Sequence, residues 1–249
     1  MLAPFVLAVV AVAVVITSFI SGVFGMAGGM LLLGLLLVFM DVAPAMVLFG
    51  VTQVAANSWR SVLWWRYVDW SIVWRFVLGS TTMFLIMRTV AIFPSKAAIY
   101  FGLGLIPFAA YALPRRLSLD ITRPGAAYFC GAFIIVLQLL TGAAGHVLDI
   151  FFQKSQLERR TIVGTKAVTQ VTGHVYRILY FGSFAVAFDT QIPAWGYAGA
   201  VVLACAGTSL AGLVLLRMTE AGFRAWSRRI TIGVALTYLL RGVWLLAAP

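Results

Sequence analysis

Gln53, Asn57 and Arg60 stand at i, i+4 and i+7, and Gln170, His174 and Arg177 repeat that spacing. On a helix the spacing brings each trio to one face. Amide or imidazole groups beside a guanidinium suit an oxyanion, because the planar fork of arginine matches carboxylate, sulfonate and phosphate oxygens. Lys166 lies one turn before Gln170 on the same face, where the first copy has Phe49. It either pairs with Asp149 or makes the second copy more cationic than the first. The only two histidines, His146 and His174, could carry a proton, since imidazole titrates near neutral pH, or sit neutral and hydrogen-bonded.

The same residues exclude other chemistries. Two separated histidines and dispersed carboxylates supply no metal-ligand set, and no Ser-His-Asp or Cys-His spacing is present to name catalytic residues. Gly22, Gly25 and Gly28 spell G-x-x-G-x-x-G but follow no strand, so they are not a nucleotide loop and no cofactor is expected. Cys130 and Cys205 lie in apolar segments of different halves at positions that do not correspond, which reads as packing in preference to a disulfide or redox pair.

The two trios belong to a longer duplication. Thr52-Gln53-Val54 recurs 117 residues later as Thr169-Gln170-Val171, and the same offset carries Gly25 onto Gly142, Gly28 onto Gly145, and Asn57 onto His174. Hydrophobic residues make up 63% of the 249 and charged ones 10%, so the chain reads as an integral membrane protein. A duplication of helical segments with matching glycine breaks and buried polar groups is the pattern of a secondary transporter. The expected fold is all-α and polytopic, with repeat one at 1–114, a linker at 115–124 and repeat two at 125–249 forming one membrane domain. Each repeat is expected to hold a glycine-broken helical hairpin followed by three transmembrane helices.

Apolar segments fall near 5–24, 28–40, 44–65, 70–92, 95–113, 125–141, 145–152, 161–181, 193–216 and 229–247. Those starting at 28 and 145 are short for the roughly 30 Å of hydrocarbon and follow glycine clusters, so they read as half-helices. Irregular backbone at membrane depth needs protein or a wet cavity to satisfy it. The N–H groups and positive dipole end that follow each break favour an anion, so Gly25, Gly28, Gly142 and Gly145 are expected to shape the site. The plainer reading of these glycines is close helix packing.

The net charge of +11 does not indicate nucleic acid, because the basic residues sit mostly between apolar spans. Placing Arg66 and Arg75, Arg115, Arg116 and Arg123, Lys154, Arg159 and Arg160, and Arg217, Arg224, Arg228 and Arg229 on the cytoplasmic side fixes the passes. Each repeat then has an odd number of passes, so the second is inverted relative to the first. Arg88 and Lys96 fall on the opposite side. The first segment has no basic residue ahead of it, which reads as a retained span starting outside.

The break Gly22-Val23-Phe24-Gly25-Met26-Ala27-Gly28-Gly29, the small and polar run Ala55-Ala56-Asn57-Ser58 and the aromatic Tyr67-Val68-Asp69-Trp70 resemble the sulfite exporter TauE/SafE family. The resemblance covers essentially the whole chain. It implies movement of sulfite, an organosulfonate or a related sulfur anion across the bacterial inner membrane. The chain departs from the family pattern in two places. A proline after the first break is absent from Leu31 to Met40, and His146 stands where a further glycine is usual.

The expected function is therefore secondary transport of a small anion by alternating access. Gly25, Gly28, Gln53, Asn57, Gly142, Gly145, His146, Gln170 and His174 are expected to form the binding site, with Arg60, Arg177 and Lys166 attracting or gating the anion. Proton coupling, if present, belongs where the copies differ, at Asn57 and His174. The partners are the anion and the lipid bilayer, with a homodimer left open. An anion channel would use the same residues. A membrane-embedded enzyme would have only Asp149, His146 and scattered hydroxyls to work with.

Overall fold

The computed structural model describes residues 3–24, 26–114, 120–142, 144–152, 154–185, 192–215 and 220–247. The described residues form ten α-helices and one short 3₁₀ turn, with no strand among them. In chain order they are α1 (Pro4–Phe24), α2 (Met26–Phe39), α3 (Val42–Leu63), α4 (Trp70–Val90), α5 (Lys96–Ala112), α6 (Ala126–Thr141), α7 (Gly145–Phe152), α8 (Arg159–Ala185), α9 (Ala194–Leu215) and α10 (Glu220–Ala247).

Local chemistry sets several of these boundaries. Asp69 caps α4 by accepting hydrogen bonds at Oδ1 from the N–H groups of Ser71 and Ile72, at 3.0 and 3.2 Å. Ser95 does the same for α5 through the N–H of Ala98. At the end of α6, Gly142 takes φ +77°, a left-handed conformation open to glycine at little cost. The helix after it is eight residues long and α2 is fourteen, as short as the sequence implies. Gly28 and Gly29, however, lie inside α2, which already begins at Met26. A Cβ at Gly28 would collide with the Thr17 carbonyl and the Ser21 N–H of α1, so bare backbone lets the two helices touch.

Among the described residues four helices are long and apolar enough to cross a membrane, at Pro4–Phe24, Trp70–Val90, Ala194–Val214 and Ala225–Ala247. Their outward faces carry exposed side chains such as Trp74, Val202 and Leu240, the surface expected of protein in contact with lipid. α3 and α8, which carry the polar trios, are packed together in the middle of the bundle. They run antiparallel, with Trp64 beside Gly164 at one end and Phe49 beside His174 and Arg177 further along.

The packing follows the duplication. α1 packs on α9 as α4 packs on α6, α2 touches α10 as α7 touches α5, and the pairs α3–α8 and α5–α10 join equivalent helices. Exchanging the halves thus maps the main contacts onto themselves. Two tyrosines, one from each half, hold α2 in place. The hydroxyls of Tyr238 and Tyr100 donate to the α2 carbonyls of Met30 and Gly34, at 2.7 and 2.8 Å. Lys96, on the unfavoured side of the charge assignment, lies 3.7 Å from Asp41, which offsets its charge. Cys130 and Cys205 are free thiols, the first buried against α4 and the second half-buried on α9.

Candidate anion-binding cavity

Each arginine of the repeated trios braces the end of a helix. Arg60 Nη2 donates to the Ser21 carbonyl of α1 at 3.3 Å, and Arg177 Nη2 donates to the Gln138 carbonyl of α6 at 3.1 Å. Ser21 and Gln138 correspond at the repeat offset, so the duplication extends to individual hydrogen bonds. Each arginine is also steadied from one turn back, Arg60 Nη1 by Asn57 Oδ1 at 3.4 Å and Arg177 Nη1 by His174 Nδ1 at 2.8 Å. The carbonyls at the end of a helix form its negative dipole end, which favours a cation there, and the Gln138 carbonyl, which already accepts from the Gly142 N–H, takes the guanidinium as a second donor.

The two braces differ in tightness. Arg177 is wholly buried, makes a further 2.7 Å bond to the Gly142 carbonyl, and lies 4.7 Å above the ring of Phe49. Arg60 is half-buried and its bonds are longer. Because a guanidinium only donates, His174 Nδ1 must accept, which fixes that ring in its neutral form while the brace is made.

A cavity of about 1000 Å³ lies between these elements. Gln53, Asn57 and Arg60 line it from α3, and Lys166, Gln170 and His174 line it from α8. Gly142, Gly145, His146 and Asp149 complete the wall at the second break. Lys166 Nζ donates to Asp149 Oδ1, so the pairing anticipated from sequence is made. His146 Nε2 is 3.4 Å from Thr231 Oγ1, and its ring meets Tyr111 edge-on. The cavity reaches the surface beside exposed Leu63, Tyr111, Arg159 and Arg160, and ends against buried Phe49 and Met30.

Residues 9–239 match the family described as Sulfite exporter TauE/SafE. The chain belongs to this family. It is accordingly a membrane transporter of a family described by sulfite export, with a small sulfur anion as the implied substrate. No curated protein and no solved structure matches the chain.

Within this TauE/SafE chain the cavity gathers nine of the twelve residues singled out from sequence. Arg177 does not line it and instead braces the wall behind it, while Gly28 packs against α1. Gly25 lies outside the described residues. The wall also contains Ser21, Gln138 and Thr208, which sequence reasoning passed over. A signal existed for the first two: both are polar, and the repeat offset superposes them just ahead of the two breaks.

Proposed function

We propose that this protein is an alternating-access carrier for a small sulfur oxyanion, sulfite or an organosulfonate, in the bacterial inner membrane. The supporting observation is the cavity itself, where amide and cationic groups from both copies of the repeated segment face one space that is open at one end and closed at the other. Repeats at 1–114 and 125–249 in opposite orientations account for the antiparallel α3–α8 pair and for contacts that survive exchange of the halves. The open end carries Arg159 and Arg160, so with the basic loops cytoplasmic the cavity faces inward. A reporter fused between α9 and α10 is expected to read cytoplasmic, and a periplasmic signal would overturn the orientation.

Binding follows from the donors present. Arg60 and Lys166 supply positive charge, while Gln53, Asn57 and Gln170 offer amide groups to the remaining oxygens. His146 is the better candidate for proton coupling, since it lines the cavity and His174 is engaged by Arg177.

Purified protein in liposomes is expected to move sulfite or a sulfonate, and to exchange labelled for unlabelled anion across the bilayer. Gln53→Ala and Gln170→Ala should each lower the rate about tenfold, the scale of one lost hydrogen bond to a charged group, with folding intact. Unchanged rates in both variants would remove the stripe from the mechanism. Conductance without exchange would identify a channel instead of a carrier.

A further inference from the structure

At the repeat offset some positions line the cavity from both copies and others from one copy only. Phe49 and Lys166, Gln53 and Gln170, and Asn57 and His174 are equivalent pairs with both members on the wall. Leu63, Trp64, Ile150 and Val163 also line it, but their counterparts Tyr180, Phe181, Leu33 and Met46 do not. Each of these four counterparts is at most 1% exposed, whereas Leu63 at the mouth is 62% exposed. The same division separates Arg60, on the wall, from Arg177 behind it.

The buried counterparts form one layer. Leu33, Met46, Tyr180 and Phe181 belong to a single apolar cluster that includes Phe49 of the cavity wall. Leu33 and Met46 stand against Gly142, which lines the cavity. On the far side of the layer, Tyr180 and Phe181 meet the ring of Phe93 at centroid distances of 5.9 and 6.3 Å. The Tyr180 hydroxyl also donates to the Ile92 carbonyl at 2.8 Å. Ile92 and Phe93 are exposed and follow the end of α4, a helix that starts just past the mouth residue Trp64. The layer therefore separates the cavity from the surface opposite its mouth.

Two inverted copies of one segment can exchange conformations, and the exchange moves the opening from one face to the other. We propose that this layer is the second gate of the carrier. Leu33, Met46, Tyr180 and Phe181 part to admit the anion from the opposite face while Ile150, Val163, Leu63 and Trp64 close, and the Tyr180 hydrogen bond to Ile92 is the latch. Arg177 then takes the place on the wall that Arg60 holds here. This rests on the alternating-access reading. Burial of apolar surface keeps the layer shut in the state described, and removing the latch shifts the balance toward the other state.

The test follows single cysteines in the full chain, in a background where Cys130→Ala and Cys205→Ala remove the two native thiols. A membrane-impermeant maleimide is added to spheroplasts or to inverted vesicles, so that it reaches one face at a time. Met46→Cys is expected to react from the face opposite the one that reaches Val163→Cys. It should also react faster than Ile135→Cys, a control whose own counterpart Ser18 is buried too, neither residue lining the cavity. Tyr180→Phe should speed the reaction of Met46→Cys about fivefold, the scale of one hydrogen bond. In a Met46→Cys, Val163→Cys variant, maleimide lodged at 46 should protect 163, because the two openings exclude each other. Leu33→Cys provides the same measurements should Met46→Cys misfold. Reaction no faster than that of Ile135→Cys, no change with Tyr180→Phe, or continued reaction at 163 overturns the gate, and anion exchange by the same protein leaves the carrier reading standing. Absence of exchange of both sulfite and ethanesulfonate overturns both.

Discussion

Arg177→Ala is expected to cost roughly 3–5 kcal/mol of stability, while Arg60→Ala costs about 1 kcal/mol or less. The two residues occupy equivalent positions, so the contrast isolates environment. Removing Arg177 strips a donor from the Gly142 carbonyl and another from His174, empties a wholly buried site beside Phe49, and removes positive charge from the end of α6. Loss of the buried cation also removes its own desolvation cost, which offsets part of the damage but not the orphaned backbone. Arg177→Met, which restores volume without donors, should fall between alanine and the native protein. Arg177→Lys keeps the charge but not the fork, and should lie above methionine. Arg60 can exchange its bonds for water in the cavity, so its loss should appear in anion transport instead. Thermal unfolding in detergent reads the first effect, and equal stability of the two alanine variants would refute the brace.

Gly142→Ala is expected to cost roughly 2–4 kcal/mol, from two separable sources. At φ +77° a β-carbon is strained, and this one would also press on Leu33 and come within 3.3 Å of Met46 Cε. Shortening Leu33 in a Gly142→Ala, Leu33→Ala double variant removes the collision but leaves the backbone strain. The double variant should therefore be more stable than the sum of the two single losses predicts, a coupling that a double-mutant cycle measures directly. Strict additivity would mean that Leu33 does not confine the break. Transport should fall with stability here, since the Gly142 carbonyl anchors Arg177 and the residue itself lines the cavity.

Much of the cavity was legible because the chain states it twice. The i, i+4, i+7 pattern of Gln53, Asn57 and Arg60 is convincing once Gln170, His174 and Arg177 repeat it, and the structure brings five of the six to one space, with Arg177 behind its wall. The partners of the arginines were not legible. Carbonyls of Ser21 and Gln138 accept the hydrogen bonds, and a backbone acceptor leaves no trace in side-chain type. The different depths of Arg60 and Arg177 are hidden for a related reason, since equivalent residues must become unequal when a cavity opens on one side only. Gly28 was misplaced because glycine's low helix propensity matters little where bilayer and neighbouring helices compel backbone groups to bond within the segment. Gly173 of α8 gave no warning either, because the room it leaves is taken by the Gln138 side chain of α6.

A carrier has to divide itself into a stator and a rotor, and the hydrogen bonds made by Tyr100 and Tyr238 bear on that division. One tyrosine comes from each half of the chain, and together they hold successive turns of α2 from outside the helix. A short helix stitched to both halves cannot follow either one alone. The other short helix, α7, is hydrogen-bonded within its own half, through Asp149 to Lys166 and through His146 to Thr231, and rests on α5 of the other half through ring contact of His146 with Tyr111. By its side-chain hydrogen bonds α2 is thus tied to both halves of the chain and α7 to one.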